Sequence, residues 1–148
     1  MSRAAALAAL AAAATLGGCA MPWPLPLPAP SPHDACRTVN ETVAAAVPPG
    51  ESLAELQARG IHQRTPLRFL PGAAPRPAQS SGAAVRVLIA PDGTVVPGSP
   101  RTLKSVGEPQ VAAAMEAAAL SMAFEFDADA RPAAPVPFTA ALAVCPRS

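Results

Sequence analysis

Apolar and polar residues alternate most clearly in the C-terminal half of the chain. In AVRVLIAPDGTVVPGSPRTLKS, residues 84–105, Val85, Val87 and Ile89 lie at every second position, which is typical of a strand with one buried face. The tripeptide Pro91-Asp92-Gly93 follows, and this turn composition between two β-rich runs predicts a hairpin. We therefore predict two antiparallel strands joined at this turn.

A helical period replaces the alternation after residue 108. In EPQVAAAMEAAALSMAFEF, residues 108–126, one apolar seam recurs at i, i+4, i+7 and i+11: Val111, Met115, Ala118 and Met122. In PVPFTAALAV, residues 135–144, the alternation returns on one strand face: Val136, Phe138, Ala140, Leu142 and Val144. The order strand, strand, helix, strand predicts a small α+β domain over residues 82–148, a ββαβ unit whose helix packs on an antiparallel sheet.

Residues 36–81 have weaker patterns than the segment that follows them. Thr38–Val47 is typical of a short helix and stops before two prolines and a glycine. Ser52 and Glu55 have the spacing of a capping box, which begins a second short helix. We predict a short helical and irregular add-on that packs against the main domain.

The first residues have the pattern of a secretory signal, with Arg3, an apolar stretch from Ala4 to Leu16 and then small residues. That stretch is shorter than the ~20 apolar residues that span a bilayer as a helix. Leu16-Gly17-Gly18-Cys19 resembles the lipobox of bacterial lipoproteins. The resemblance implies removal of residues 1–18, a diacylglycerol on the Cys19 thiol and a fatty acyl chain such as palmitate on the new amine. The alternative is an uncleaved, short anchor helix with an incidental cysteine.

A proline-rich tether is predicted after the lipidated cysteine, over residues 19–35. Proline occupies nearly every second position from Pro22 to Pro32, which favours an extended polyproline II spacer. A docking ligand for an aromatic groove is the alternative. Because Ala20 follows the cysteine, the resemblance to lipoproteins implies sorting to the inner leaflet of the outer membrane, facing the periplasm.

The cysteines and the net charge limit which bonds, ligands and partners the chain is expected to have. With Cys19 lipidated, Cys36 and Cys145 form an even pair in an oxidising compartment, and a disulfide between them is predicted. Metal binding is the alternative, because His33 and Asp34 lie close to Cys36, yet no paired-ligand motif accompanies them. We expect no metal and no cofactor. The formal charge of +1 without a basic stripe also argues against a nucleic-acid partner.

The order of elements from Gly82 to Val144 resembles the C-terminal domain of the TonB energy-transducer family. The resemblance rests on VRVLIAPDGTVV for the first hairpin, on residues 105–109 leading into the helix, and on the aromatic pair Phe124 and Phe126. It implies a ββαβ fold and binding to an extended segment of a partner. A generic ββαβ domain is the alternative. The family's transmembrane helix is replaced here by the lipobox pattern, and its tyrosine-containing segment has no counterpart, because the chain has no tyrosine.

These features predict a lipid-anchored interaction module that binds an unidentified periplasmic or outer-membrane protein by strand-edge pairing. The residues expected at that edge are Val136, Phe138, Ala140, Leu142 and Val144. The alternative is a TonB-like energy-transducer component for outer-membrane transport. An enzyme is not expected, because Asp127 and Asp129 lie in a loop without an accompanying catalytic motif, and no residue is assigned a catalytic role.

Overall fold

The computed structural model describes residues 27–146. The helices are α1 (Pro32–Ala44), α2 (Leu53–Ala58) and α3 (Pro109–Ala119), and the strands are β1 (Ile61–Thr65), β2 (Ser81–Ile89), β3 (Arg101–Val106), β4 (Ala123–Phe126) and β5 (Val136–Val144). The predicted signal sequence, Cys19 and most of the predicted tether lie outside the described residues. The fold is α+β, as the sequence predicted.

Strand β2 lies at the centre of an antiparallel sheet with the order β3-β2-β5. The alternating residues Val85, Val87 and Ile89 are fully buried on one face of β2. Strand β5 pairs with β2 without a register shift along its whole length. Strand β3 pairs with β2 through a bulge and begins only at Arg101, so the second strand of the hairpin starts well after the Pro91-Asp92-Gly93 turn.

Helix α3 covers the same face of the sheet with the apolar seam that its sequence predicts. Val111 and Met115 are buried in the same core as β2. The helix ends at Ala119, so the last residue of the predicted seam, Met122, lies beyond it and is buried in the core from the turn before β4. Leu120, which lies off the seam, is half exposed. Phe124 of β4 and Phe138 of β5 meet edge to face, with ring centroids 5.3 Å apart. This core of aliphatic, alanine and two aromatic side chains determines where β5 lies.

The segment from residue 36 to 81 contributes directly to this fold. Strand β1 pairs with β4 in a second, two-stranded antiparallel sheet. Leu56 of α2 and Ile61 of β1 are buried in the same core as α3. The boundary expected near residue 82 therefore falls inside a continuous folded unit, in which β2 itself begins at Ser81.

Helix α1 covers the opposite face of the sheet. It begins at Pro32, inside the predicted tether and earlier than Thr38, because the Ser31 side chain accepts a hydrogen bond from the Asp34 backbone and proline suits the first helical turn. Its residues Val39 and Val43 are buried. The close approach depends on Gly82, where a Cβ atom would lie 2.7 Å from the Leu142 carbonyl oxygen and 2.9 Å from Val39 Cγ1.

A disulfide between Cys36 and Cys145 joins α1 to the residue after β5, with the Cα atoms 5.7 Å apart. That separation lies within the usual range for a disulfide. The bond therefore fixes the first half of α1 beside the C-terminal end of β5.

Candidate interaction surface

The five residues that the sequence placed at a partner-binding edge lie on β5, which is an outer strand of its sheet. Their register places each opposite a core-facing residue of β2, so their side chains share the core face. Phe138 is buried, Leu142 is 37% exposed, and the other three are partly buried: Val136, Ala140 and Val144. The strand is at an edge as predicted, but these side chains project from a face of the sheet and not from its edge.

The direction of the backbone groups identifies which residues face outward. The Thr139 N–H donates to the Glu51 carbonyl oxygen at 2.9 Å, away from β2. In an antiparallel strand, successive residues direct their backbone groups alternately to the two sides. Because the β2–β5 pairing is regular, the outward N–H and C=O groups belong to the odd-numbered residues, and those of the five predicted residues bond to β2.

The first half of the outward edge is closed by the chain itself. Pro137 has no N–H to offer, and Thr139 is bonded to Glu51 through its backbone. The Thr139 hydroxyl also donates to the Glu51 carboxylate at 2.7 Å. The loop between α1 and α2 thus protects this part of the edge.

Glu51 is held there by a bidentate ion pair with Arg86 of β2. The Arg86 Nε donates to Glu51 Oε2 at 2.9 Å, and Nη2 donates to Oε1. The Glu51 side chain is 8% exposed, so its charge needs these partners. Sequence reasoning missed this cluster, because the residues lie 35 and 88 positions apart. The available signal was an arginine at an otherwise apolar strand, Arg86 between Val85 and Val87.

The second half of the edge is open. Within residues 27–146, no hydrogen bond reaches the outward backbone groups of Ala141 or Ala143. Both alanines are partly exposed, and their small side chains leave room for a second backbone. These two residues offer the donors and acceptors that an added strand requires.

A groove lies on each side of this open edge. The groove on the core side has a volume of about 380 Å³ and includes Leu53, Leu67 and Leu142 in its lining. The groove on the α1 side has a volume of about 350 Å³ and is lined by five residues: His33, Cys36, Arg37, Asn40 and Ala143.

The opposite edge of the sheet, along β3, is less suited to strand addition. The Thr102 N–H, which points away from β2, donates to the Glu116 carboxylate at 2.6 Å. Arg101 and Lys104 add exposed charge, and the bulge interrupts the strand. Charges and bulges are the usual protection of an edge strand.

The polar residues considered for chemistry do not form a comparable site in the part of the chain that the structure describes. His62 Nε2 lies 3.2 Å from Asp127 Oδ1, with both side chains substantially exposed, and Asp129 is exposed in the same loop. Among residues 27–146, no group of three or more His, Cys, Asp or Glu side chains is placed to hold a metal ion. No helix within that range is long and apolar enough to cross a membrane.

Asp92 has a structural role in the hairpin turn. Its carboxylate accepts hydrogen bonds from the Thr94 hydroxyl at 2.6 Å and from the Thr94 N–H at 2.9 Å. Both hydrogen bonds lower the pKa of Asp92 below its ordinary value, and the bond from the hydroxyl has the larger effect. Gly93 takes a positive φ of 87° beside the Phe124 carbonyl, where a side chain has no room.

Comparison with protein-family models, with curated proteins and with solved structures finds no match to this chain.

Proposed function

We propose that this chain is a lipid-anchored periplasmic interaction module, with a TonB C-terminal-like domain that binds an extended segment of a partner protein by pairing with β5. The observation that carries this proposal is that the outward backbone groups of Ala141 and Ala143 accept and donate no hydrogen bond within residues 27–146. Main-chain hydrogen bonds at such an edge give affinity, and neighbouring side chains give selectivity. The same domain is proposed to have no catalytic activity.

The anchoring part of the proposal rests on the sequence Leu16-Gly17-Gly18-Cys19 and on the prolines that follow it. The described fold starts its first helix at Pro32. A lipid on Cys19 and a spacer as far as Ser31 would hold the binding edge away from the bilayer surface.

The intact mass of the membrane-extracted protein tests the anchor. We expect the wild-type chain to lack residues 1–18 and to carry added acyl mass. The Cys19→Ala variant should show neither change. A wild-type chain that retains Met1 and carries no lipid would contradict the lipoprotein and favour the alternative, a membrane-inserted transducer component.

A proline substitution at Ala141 tests the edge. It removes one outward N–H and no bond to β2, and Pro137 shows that this strand accepts proline at an outward position. Peptides selected from an array of extended segments should shift the amide resonances of Ala141 and Ala143. Their affinity should fall about 2- to 10-fold in Ala141→Pro, the equivalent of one hydrogen bond.

The matched control is Ala141→Ser, which keeps the N–H and adds little volume, and which should bind like the wild type. Unchanged affinity in Ala141→Pro, with the wild-type fold retained, would rule out strand pairing at this edge.

A further inference from the structure

A strand added to β5 would direct its side chains alternately into two grooves of different chemistry. Side chains of an added strand alternate between the faces of the sheet that it extends. One face at Ala141–Ala143 is covered by α1, and the other belongs to the core. The open edge therefore selects for the pattern of the partner segment as well as for its extended conformation.

The α1 side is polar and includes the Arg37 guanidinium. His33, Arg37 and Asn40 recur at i, i+4 and i+7, so they lie on one face of α1 and line the groove beside Ala143. The Arg37 guanidinium uses Nη2 for Asp34 Oδ1, at 3.2 Å, and its side chain is 64% exposed. Among residues 27–146 its only hydrogen-bond partner is Asp34. A guanidinium has five N–H groups, so further donors can bind a carboxylate from outside.

The core side is apolar. Leu53, Leu67 and Leu142 line this groove together with Phe138. Leu53 and Leu67 are only partly buried against the core, and Leu142 remains exposed. An aliphatic side chain placed here would remove apolar surface from water.

The length of the open edge is also limited. The Thr139–Glu51 bond closes it at one end, and the disulfide from Cys145 to α1 lies at the other. Between these points an added strand pairs with Ala141 and Ala143 only. A pairing segment of about 3–5 residues matches this span at ~3.4 Å per residue.

We infer that the partner segment is a short extended stretch of protein in which apolar residues alternate with acidic residues. The apolar side chains enter the core-side groove, and the acidic side chains face Arg37 and His33. This inference rests on the proposed function, because it assumes pairing at the β5 edge. Two observations favour this occupant. Its acidic side chains complement the charge of Arg37 on the α1 side, and its apolar side chains match the apolar lining of the core-side groove.

Two short capped peptides test the pattern, one alternating leucine with glutamate and the other alternating leucine with lysine. Each is titrated by calorimetry into the full chain in detergent at low salt. We expect the glutamate peptide to bind about 1.4- to 5-fold more tightly for each carboxylate that faces α1, which is the range for an exposed ion pair. A scrambled leucine–glutamate peptide of equal composition should bind more weakly.

The Arg37→Glu variant should reverse the preference between the two peptides. Arg131→Glu makes the same charge change at an exposed position that lines neither groove, and it should keep the wild-type preference. Leu142→Ser should weaken the binding of both peptides. Leu120→Ser, which changes an exposed leucine just after the end of α3, should weaken neither.

The outcomes separate this inference from the proposed function. Equal binding of both peptides, lost in Ala141→Pro, would overturn the charge preference and leave edge pairing in place. Binding that Ala141→Pro does not change would overturn both. Failure of the glutamate peptide to bind would overturn the inference. Sedimentation of the protein as a dimer that Ala141→Pro dissociates would also overturn it, because the edge would then be occupied by a second copy of the chain.

Discussion

At the scale of single residues, Glu51 limits how much of the β5 edge can pair with an added strand. Its carboxylate accepts from Arg86 and from the Thr139 hydroxyl, while its carbonyl accepts from the Thr139 N–H. A carboxylate this well buried is stable only with such partners. The same residue that satisfies the edge at Thr139 therefore ends the open segment at Ala141.

Removing the arginine should destabilise the fold. In Arg86→Met, the Glu51 carboxylate stays buried and keeps only the Thr139 hydroxyl as a donor. We expect the free energy of unfolding to fall by about 2–3 kcal/mol. This loss is smaller than for a wholly buried ion pair, because Arg86 is partly exposed. Urea denaturation measures this change. Arg131→Met, at an exposed position, should stay within ~0.5 kcal/mol of the wild type. An equally small change in Arg86→Met would mean that the ion pair contributes no net stability.

The carboxyl group of Asp92 should titrate below its ordinary pKa, 3.8. Its folded pKa is lowered, so the stabilisation is fully present above pH 3.8 and is lost as the pH falls through the lower, folded pKa. Carbon-detected NMR titration of the side chain measures the midpoint. Thr94→Val removes the hydroxyl donor and should raise the midpoint, whereas Thr94→Ser keeps the donor and should not. An unchanged midpoint in Thr94→Val would assign the shift to another cause.

At the scale of elements, the packing of α1 on the sheet depends on small residues in β2 and β5. Gly82 lies beside Val39 of α1 and beside the backbone of β5. Ala84 of β2 is fully buried, and it pairs with Ala141 of β5. Large side chains at these positions would separate the helix from the sheet, because packed interiors do not absorb added volume without strain.

A single added methyl group should reveal this close contact. Gly82→Ala places a Cβ atom 2.7 Å from the Leu142 carbonyl oxygen, a backbone atom that cannot move without displacing β5. We expect a loss of about 1–3 kcal/mol in the free energy of unfolding. Thermal or urea denaturation checks the value. The control Ser105→Thr adds a methyl group at an exposed position of β3 and should have little effect. Similar stability of Gly82→Ala and Ser105→Thr would contradict the tight packing of α1 on the sheet.

At the scale of the whole molecule, the disulfide and the β1–β4 sheet connect the two halves of the chain. Cys36 and Cys145 are 109 residues apart in sequence. Strand β1 pairs with β4 across a shorter separation, with Ile61 opposite Phe126. Both links cross the boundary near residue 82, so a fragment that starts there would lose α1, β1 and one cysteine. Binding experiments therefore need the full chain.

Removing the disulfide should lower stability substantially. In the double variant Cys36→Ser, Cys145→Ser, we expect the free energy of unfolding to fall by about 2–5 kcal/mol, because the bond restricts a long loop in the unfolded chain. Denaturation under non-reducing conditions measures the difference, and adding a reductant to the wild type should reproduce it. Hydrogen exchange should accelerate mainly in α1. Equal stability with and without the bond would show that α1 is held by its apolar contacts alone.

The local elements of this protein follow from its sequence alone, because the signals for helices, strands and turns act over short distances along the chain. Alternation predicted β2 and β5, and the apolar seam predicted α3, although its last member, Met122, lies beyond the helix end. The Ser52–Glu55 spacing predicted a capping box that the structure contains. Pattern and order were enough for the α+β class and for an antiparallel sheet.

Which parts of β5 are open to a partner depends on contacts that form only in the folded chain. The β1–β4 pairing, the cover of α1 over Gly82 and the Glu51–Arg86–Thr139 cluster all join residues far apart in sequence. Side-chain alternation indicates which residues face the core. It does not show which backbone groups already have partners, because those partners come from distant loops. Periodicity reports on neighbours along the chain, whereas the availability of an edge depends on which distant residues fold against it.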